Sequence, residues 1–377
     1  MSVNPTIEWT EDGEARTARW HSEAGTPAPR RVVIADDTLT ADTAFRLASE
    51  GTGLLWRGDF QNARQLLQAI ARRVDRPPKK KKATPATMID AFNQHRQAQS
   101  QRARTLNALL IPLEADYTIA LRRSPEMREA CEQVYGPADG AMSVASLREL
   151  QGIVGAFEWR KKGVEIAVLG DRVHPYYGVF SPVRGEYLDL IDQAPLPSTT
   201  LAFDIGTGTG VIAALLAKRG VQRIVATDQD ARALACARDN IERLGYAKRV
   251  QVTEANLFPE GKAPLIVCNP PWVPARPSSS LESAIFDPDS QMLKGFLAGL
   301  AAHLEPGGEG WLILSDLAEH IGLRSRDELL AWFKAAGLQV LDKLSVRPRH
   351  PKANDTEDPL YSARSREMTS LWRLALA

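Results

Sequence analysis

Apolar positions between residues 60 and 74 recur at three- and four-residue spacings. Phe60, Ala63, Leu66, Leu67, Ile70 and Val74 fall on one face, which predicts an amphipathic helix. The run Arg76-Pro77-Pro78-Lys79-Lys80-Lys81-Lys82 breaks that helix and reads as a solvated segment. A second helix is predicted over about 86–110, starting near Pro85 and ending before Pro112. Two more follow at about 124–134 and 143–159, where Ser146 and Glu149 stand at capping-box spacing. Few strand-like alternations interrupt this stretch. Residues 31–160 therefore read as a mainly helical domain, and residues 1–30, acidic and Pro-containing, as a flexible tail.

From Gly163 the pattern changes. Val164 to Val168 reads as a strand, with Val173 to Phe180 as its hairpin partner. Short apolar runs then alternate with helical periods: strands at 200–205, 222–228, 249–255, 264–269 and 310–316, helices at 210–219, 231–244, 289–303 and 325–336. This rhythm predicts an α/β domain over 161–377, a parallel sheet with helices on both faces. Gly245 and Gly337 stand where helix C-caps are needed. Two long strands, about 338–346 and 368–376, close the chain.

Composition adds limits more than direction. The chain has 377 residues, enough for two cores, and its 44% apolar and 25% charged content is that of a soluble globular protein. A net charge of +1 gives no global case for nucleic acid or membrane. Cys131, Cys236 and Cys268 lack metal-ligand spacing, so no metal site is expected, and they suit a reducing compartment. Without a signal-like stretch or an apolar run near the ~18 residues of a span, a cytoplasmic protein is expected. Charge is nonetheless local. Between Arg72 and Arg104 stand ten Lys or Arg against two Asp, an excess of +8. Such a stretch suits phosphates, or simply a solvated face. Arg347, Arg349, His350, Lys352, Arg364 and Arg366 make the 347–367 loop a second candidate nucleic-acid contact.

Two motifs carry chemistry. After the strand at 200–205 comes Gly206-Thr207-Gly208-Thr209-Gly210, then a helix. Glycines there remove the Cβ atoms that would keep a ligand from the helix N-terminus. Asp228, 22 residues after Gly206, ends the next strand, where a carboxylate can accept bonds from both hydroxyls of a ribose. A dinucleotide fingerprint would want its third glycine at 211, which is Val211. The second motif, Asn269-Pro270-Pro271-Trp272, ends the strand at 264–269. A planar amide or amino nitrogen has its lone pair delocalised, and two acceptors on its N–H bonds would make it a better nucleophile. The Asn269 side-chain oxygen and the Pro270 carbonyl suit that task. Pro271 stiffens the loop, and Trp272 offers a flat face. Cys268 reads as a packed strand residue.

With these residues the chain resembles class I S-adenosylmethionine-dependent methyltransferases. Within them it is similar to the glutamine N5-methyltransferases of release factors and a ribosomal protein, and to relatives acting on nucleobases. The resemblance covers about 163–377. Asn269 to Pro274 resembles Asn-Pro-Pro-Tyr-Ile-Pro, Glu254 to Phe258 the segment after the third strand, and Pro182, Arg184 and Glu186 a Pro-Arg-x-x-Thr-Glu stretch. It implies a Rossmann-like doubly wound sheet with an antiparallel last strand, a preceding helical domain that serves substrate recognition, and S-adenosyl-L-methionine as cofactor. It implies that Asp204 holds the methionine moiety, that Gly206, Thr207, Gly208 and Gly210 form the cradle, and that Asp228 holds the ribose. Gln229, Asn256 and Leu257 would flank the adenine, and Asn269 would face the methyl. There are departures: Trp272 replaces Tyr, and Met292-Leu293-Lys294-Gly295-Phe296 stands where the family has Gly-x-Asp-Gly. Three readings follow. The first is N-methylation of an amide or amino nitrogen in a translation-related macromolecule, with protein glutamine ahead. The second is methylation of an exocyclic base amino group in RNA or DNA. The third is a non-catalytic cofactor- or RNA-binding module, which the intact Asn269 argues against.

Overall fold

The computed structural model describes residues 5–77, 85–183, 185–277, 282, 284–349 and 355–377. The Lys79–Lys82 run, Arg184, His350 and Lys352 lie outside these residues. The chain forms two compact units, Met1–Thr84 with Asn93–Glu158, and Pro85–Phe92 with Trp159–Ala377.

The first part of the chain holds β1 (Thr6–Glu11), β2 (Glu14–Trp20), β3 (Arg31–Ala35), α1 (Ala41–Ser49), β4 (Thr52–Trp56) and α2 (Phe60–Val74). After these come α3 (Met88–Leu106), β5 (Leu109–Leu113), α4 (Arg128–Tyr135), β6 (Ser143–Ser146) and α5 (Leu147–Lys162). The helix α2 matches its apolar spacing, with Asp59 accepting the Gln61 N–H as N-cap. The expected mainly helical domain is corrected. Six strands form one sheet in the order β1-β2-β6-β5-β4-β3, with helices around it. Thr52–Trp56 and Leu109–Leu113 are buried along their whole length. A strand covered on both faces shows a short apolar run rather than alternation, and five such residues are too few to announce themselves.

Residues 1–30, expected as a flexible tail, hold the first hairpin of that sheet. The β1 and β2 strands pair antiparallel from Thr6↔Arg19 to Glu11↔Glu14. Asp12 and Gly13 link them at φ 53 and 82. Two left-handed residues make the tight turn that fits strand twist, and Asp-Gly is its sequence signal. Ile7 and Trp20 are buried against Leu55, Leu110 and Val144.

The second part begins with a short hairpin, β7 (Val164–Ile166) and β8 (Asp171–Val173), and α6 (Glu186–Gln193). It continues through β9 (Leu201–Ile205), α7 (Val211–Lys218), β10 (Arg223–Asp228), α8 (Ala231–Arg243), β11 (Val250–Glu254) and β12 (Ala263–Cys268). Then come α9 (Gln291–His303), β13 (Leu304–Ser315), α10 (Leu317–Ile321), α11 (Arg326–Ala335), β14 (Leu338–Val346), α12 (Tyr361–Arg364) and β15 (Thr369–Leu376). Seven strands order as β11-β10-β9-β12-β13-β15-β14, with β15 antiparallel to both neighbours and the other pairings of adjacent strands parallel. This is the doubly wound sheet with one antiparallel strand that the resemblance implied. Residues of α6 and α7 with Ile241 of α8 bury one face. Residues of α9 and α11 bury the other. Strand order reverses between β9 and β12, which opens a crevice at their C-terminal ends.

The buried hairpin makes a direct prediction. Trp20 is 5% exposed and its indole N–H donates to the Thr26 carbonyl at 2.8 Å. Trp20→Ala should destabilise its unit by about 3–5 kcal/mol in denaturant unfolding. A residue in a loose tail would give no change.

Candidate active site

The site begins with strand register. Ile205 of β9 is level with Cys268 of β12, so Gly206 and Asn269 leave the sheet side by side. Thr227 of β10 is level with Ile205, which brings Asp228 to the same rim. Parallel neighbours lie about 4.8 Å apart, so all three motifs start within one small crevice.

On the donor side, Gly206, Gly208 and Gly210 have φ of 72, 55 and 80, a region an L side chain resists. A Cβ on Gly206 would lie 2.5 Å from Met292 Cε, whereas one on Gly208 would meet only open space. The Gly206 and Thr207 N–H groups both donate to the Thr227 carbonyl at 2.9 Å, fixing the turn to the neighbouring strand.

Asp204 is fully buried at the end of β9. Its Oδ2 accepts from Thr207 Oγ1 at 2.6 Å and from the Ala213 N–H at 3.1 Å, while Oδ1 has no partner. Desolvation pushes its pKa up to about 7, against the opposing pull of those two hydrogen bonds. Glu186, at the start of α6, is also buried with Oε1 unpartnered. Burial raises the pKa of the Tyr187 hydroxyl, and both carboxylates are close enough to add to that rise. Two unsatisfied buried acceptors are costly unless something donates to them. An α-ammonium group supplies such donors. Glu186 was visible in the sequence only as part of the Pro-Arg-x-x-Thr-Glu likeness; its burial and free oxygen are what give it weight.

Asp228 is half-buried. Its Oδ2 accepts from the Gly208 N–H at 3.1 Å and Oδ1 from the Asp230 N–H at 3.0 Å. Each oxygen keeps a further lone pair, which suits a pair of ribose hydroxyls. Gln229 and Asn256 are exposed beside it, and Leu257 is half-buried at φ 69, with its carbonyl accepting from Thr227 Oγ1 at 2.6 Å. Orphaned acid oxygens, an open glycine turn and a diol-matched carboxylate fit S-adenosyl-L-methionine.

On the acceptor side, β12 is buried throughout, and burial holds the Cys268 thiol well above its usual pKa, as suits a packed strand residue. Asn269 is half-buried, Pro270 buried, and Pro271 and Trp272 half-buried. Trp272 Nε1 donates to Asn269 Oδ1 at 2.9 Å. The Pro270 carbonyl accepts no hydrogen bond among the described residues. Asp287 binds the Met292 and Leu293 N–H groups at 3.0 and 3.1 Å and so caps α9. That cap carries Met292 to the face of Gly206, a link between the two sides that the sequence did not announce.

Other candidates fall elsewhere. The His174 imidazole Nδ1 sits 2.6 Å from the Arg160 carbonyl, the His174 backbone N–H donates to Asn240 Oδ1, and Arg160 lies over the Tyr176 ring. These contacts strap the segment to α8. In the 347–367 loop, Arg349 pairs with Asp189 and Arg364 with Asp358. In the basic stretch, Arg73 pairs with Asp42 and Arg102 with Asp75.

The Asp204 carboxyl sets a pH dependence. Its folded pKa lies above the unfolded value, so stability is whole below about pH 4 and is lost as pH rises to about 7. Asp204→Asn should therefore gain stability over the natural chain progressively between those pH values, then hold level. Thermal unfolding across pH 4–8 checks this; a flat difference would show the carboxyl is not desolvated.

Comparison with known proteins matches residues 188–321 to the family described as Methyltransferase small domain. The chain is 33% identical over 196 residues to a release factor glutamine methyltransferase of Cereibacter sphaeroides, covering 48% of this chain and 65% of that protein. It is 43% identical over 159 residues to a ribosomal protein L11 methyltransferase of Pelotomaculum thermopropionicum, covering 41% of this chain and 43% of the other. A tRNA1(Val) (adenine(37)-N6)-methyltransferase of Parabacteroides distasonis is 42% identical over 74 residues, 18% of this chain and 31% of that one. The chain thus spans less than two thirds of the length of each of these relatives. Among the described residues no helix is long and apolar enough to cross a membrane. The glycine turn, its acids and the sheet order agree with this match: the chain carries a class I S-adenosylmethionine-dependent methyltransferase domain of the methyltransferase small domain family.

Proposed function

We propose that the protein is an N-methyltransferase acting on a planar amide or amino nitrogen of a translation-related macromolecule, with protein glutamine as the favoured acceptor. The observation that carries this is the placement of Asn269 beside Gly206 through the Ile205↔Cys268 register. When bound, the cofactor supplies an electrophilic methyl on a sulfonium that departs as a neutral thioether. Asp204 and Glu186 take the ammonium of its methionine moiety, and Asp228 takes the ribose hydroxyls, with Gln229, Asn256 and Leu257 around the adenine. Asn269 Oδ1 and the Pro270 carbonyl accept the acceptor's two N–H bonds. Holding both hydrogens turns the nitrogen lone pair out of conjugation and toward the methyl, and alignment then does most of the catalysis. The nitrogen gains a methyl and releases one proton to water. Pro271 holds the loop's φ, and the Trp272 ring walls the pocket. The first two relatives act on proteins by name, and the first of them on glutamine, which supports a protein acceptor over a base.

A second reading, an exocyclic amino group of an RNA base, is favoured by one surface feature. Arg122 Nε and Arg123 Nε both bind Asp59 Oδ2, at 2.8 and 2.7 Å, with side chains 76% and 57% exposed. Arg123 is held at φ 58, with its carbonyl accepting from Gln61 Nε2. The outer guanidinium edges stay free for phosphate.

Incubation with labelled S-adenosyl-L-methionine and either a release factor or ribosomal RNA tests both readings; no uptake by either would exclude them. Asn269→Ala should abolish transfer yet bind the donor, whereas Asp228→Ala should weaken donor binding by about 1–3 kcal/mol in calorimetry. Normal turnover by the Asn269 variant would refute the acceptor role. For the RNA reading, replacing Arg122 and Arg123 by Gln should lower the slope of log K against log salt by about 1.4, from ~0.7 per lost phosphate contact. Fluorescence anisotropy on a single-stranded RNA would show it, and an unchanged slope removes these residues from RNA contact.

A further inference from the structure

An asparagine amide has two ends, and only one suits this site. Turned by half a rotation, Asn269 would present its NH2 to the acceptor's N–H, donor against donor. The shape of the side chain hardly distinguishes the two orientations. A hydrogen bond does. Trp272 Nε1 lies 2.9 Å from Asn269 Oδ1, the one side-chain hydrogen bond that Asn269 makes among the described residues. An indole N–H is a donor only, so it can hold the oxygen and cannot hold the NH2.

The indole is itself held. Its ring packs against the apolar clusters of both sheet faces, and against a third cluster that includes Phe92, Val273, Leu317 and Ile321. Phe92 belongs to the short segment Pro85–Phe92 that joins this unit rather than the first. Such packing leaves the ring little freedom, so its N–H direction is fixed before any substrate arrives. An amide oxygen carries two lone pairs. With one taken by the indole, the other is left at a set angle for one N–H of the acceptor.

We infer that Trp272 is a positioning residue, whose indole N–H selects the reactive orientation of the Asn269 amide. This rests on the proposed acceptor role of Asn269. It assigns Trp272 a part that a phenyl ring at this place could not play.

Two experiments test it. The protein has eight tryptophans. In the full-length 15N-labelled protein, Trp272→Phe removes one indole N–H resonance and so identifies it. In Asn269→Ala that resonance should move and exchange faster with solvent, while the other seven hold their places. A resonance that stays where it was means the bond is absent, and the inference falls. This readout needs no acceptor, so it stands apart from the fate of the proposed reaction.

The second is a double-mutant cycle on the macromolecule that takes up label. Trp272→Phe keeps an aromatic ring in the pocket and should lower kcat about five- to tenfold, the loss expected for one hydrogen bond, with KM for donor and acceptor unchanged. In an Asn269→Asp background both side-chain oxygens accept, orientation no longer matters, and the same Phe substitution should cost nothing. Equal losses in the two backgrounds would mean that Trp272 merely packs, which overturns the inference.

Discussion

The pairing of β9 with β12 is the constraint on which the rest of the site depends. With Ile205 level with Cys268, the glycine turn and the Asn-Pro-Pro-Trp loop emerge together. A slip of one residue would shift one motif along the sheet by about 3.3 Å and turn Asp204 to the opposite face. Burial guards against that slip. Asp204 and Ile205 of one strand and all of β12 are closed to water, and alternate side chains fill apolar clusters on opposite faces of the sheet. The same hydrophobic packing that stabilises the fold therefore sets the spacing between the glycine turn and the Asn-Pro-Pro-Trp loop.

Two of the buried polar atoms left without a partner stand out as carboxylate oxygens. Asp204 and Glu186 each keep an unpartnered oxygen in buried surroundings near Tyr187. A protein selected for stability alone would not retain them, since each costs free energy without a donor. Deviations of this kind collect where a ligand completes the bonding. By contrast, the Asp287 cap of α9 is satisfied twice over, and its role is mechanical. It fixes the helix start that presses Met292 onto Gly206 and so shapes the floor beneath the glycine turn.

The first unit works on another principle. Several of its charged groups are paired: Asp59 binds two arginines while capping α2, and Arg57 binds Glu11 through Nε and Nη2. Arg122 and Arg123 are thereby held in place while their side chains stay largely exposed.

Much of the second unit was legible from sequence, for a physical reason. Its strands alternate with helices whose apolar faces repeat at 3.6 residues, and its chemistry sits in contiguous motifs, Gly206 to Gly210 and Asn269 to Trp272, that announce themselves by residue type. The first unit's sheet was not legible. Short strands such as Leu109–Leu113, buried on both sides, carry no period, and α2 and α3 dominated the reading of their surroundings. The Asp12-Gly13 turn was a local signal that a tail reading passed over. By itself the sequence determined the glycine turn, the Asn-Pro-Pro-Trp loop and the alternating architecture. Only the tertiary structure decided which oxygens stay unpaired, that Glu186 is buried with one of them, and that the Trp272 indole grips Asn269. Those facts depend on packing between segments distant in the chain or on rotamers that neighbours impose, and neither is written in spacing or composition.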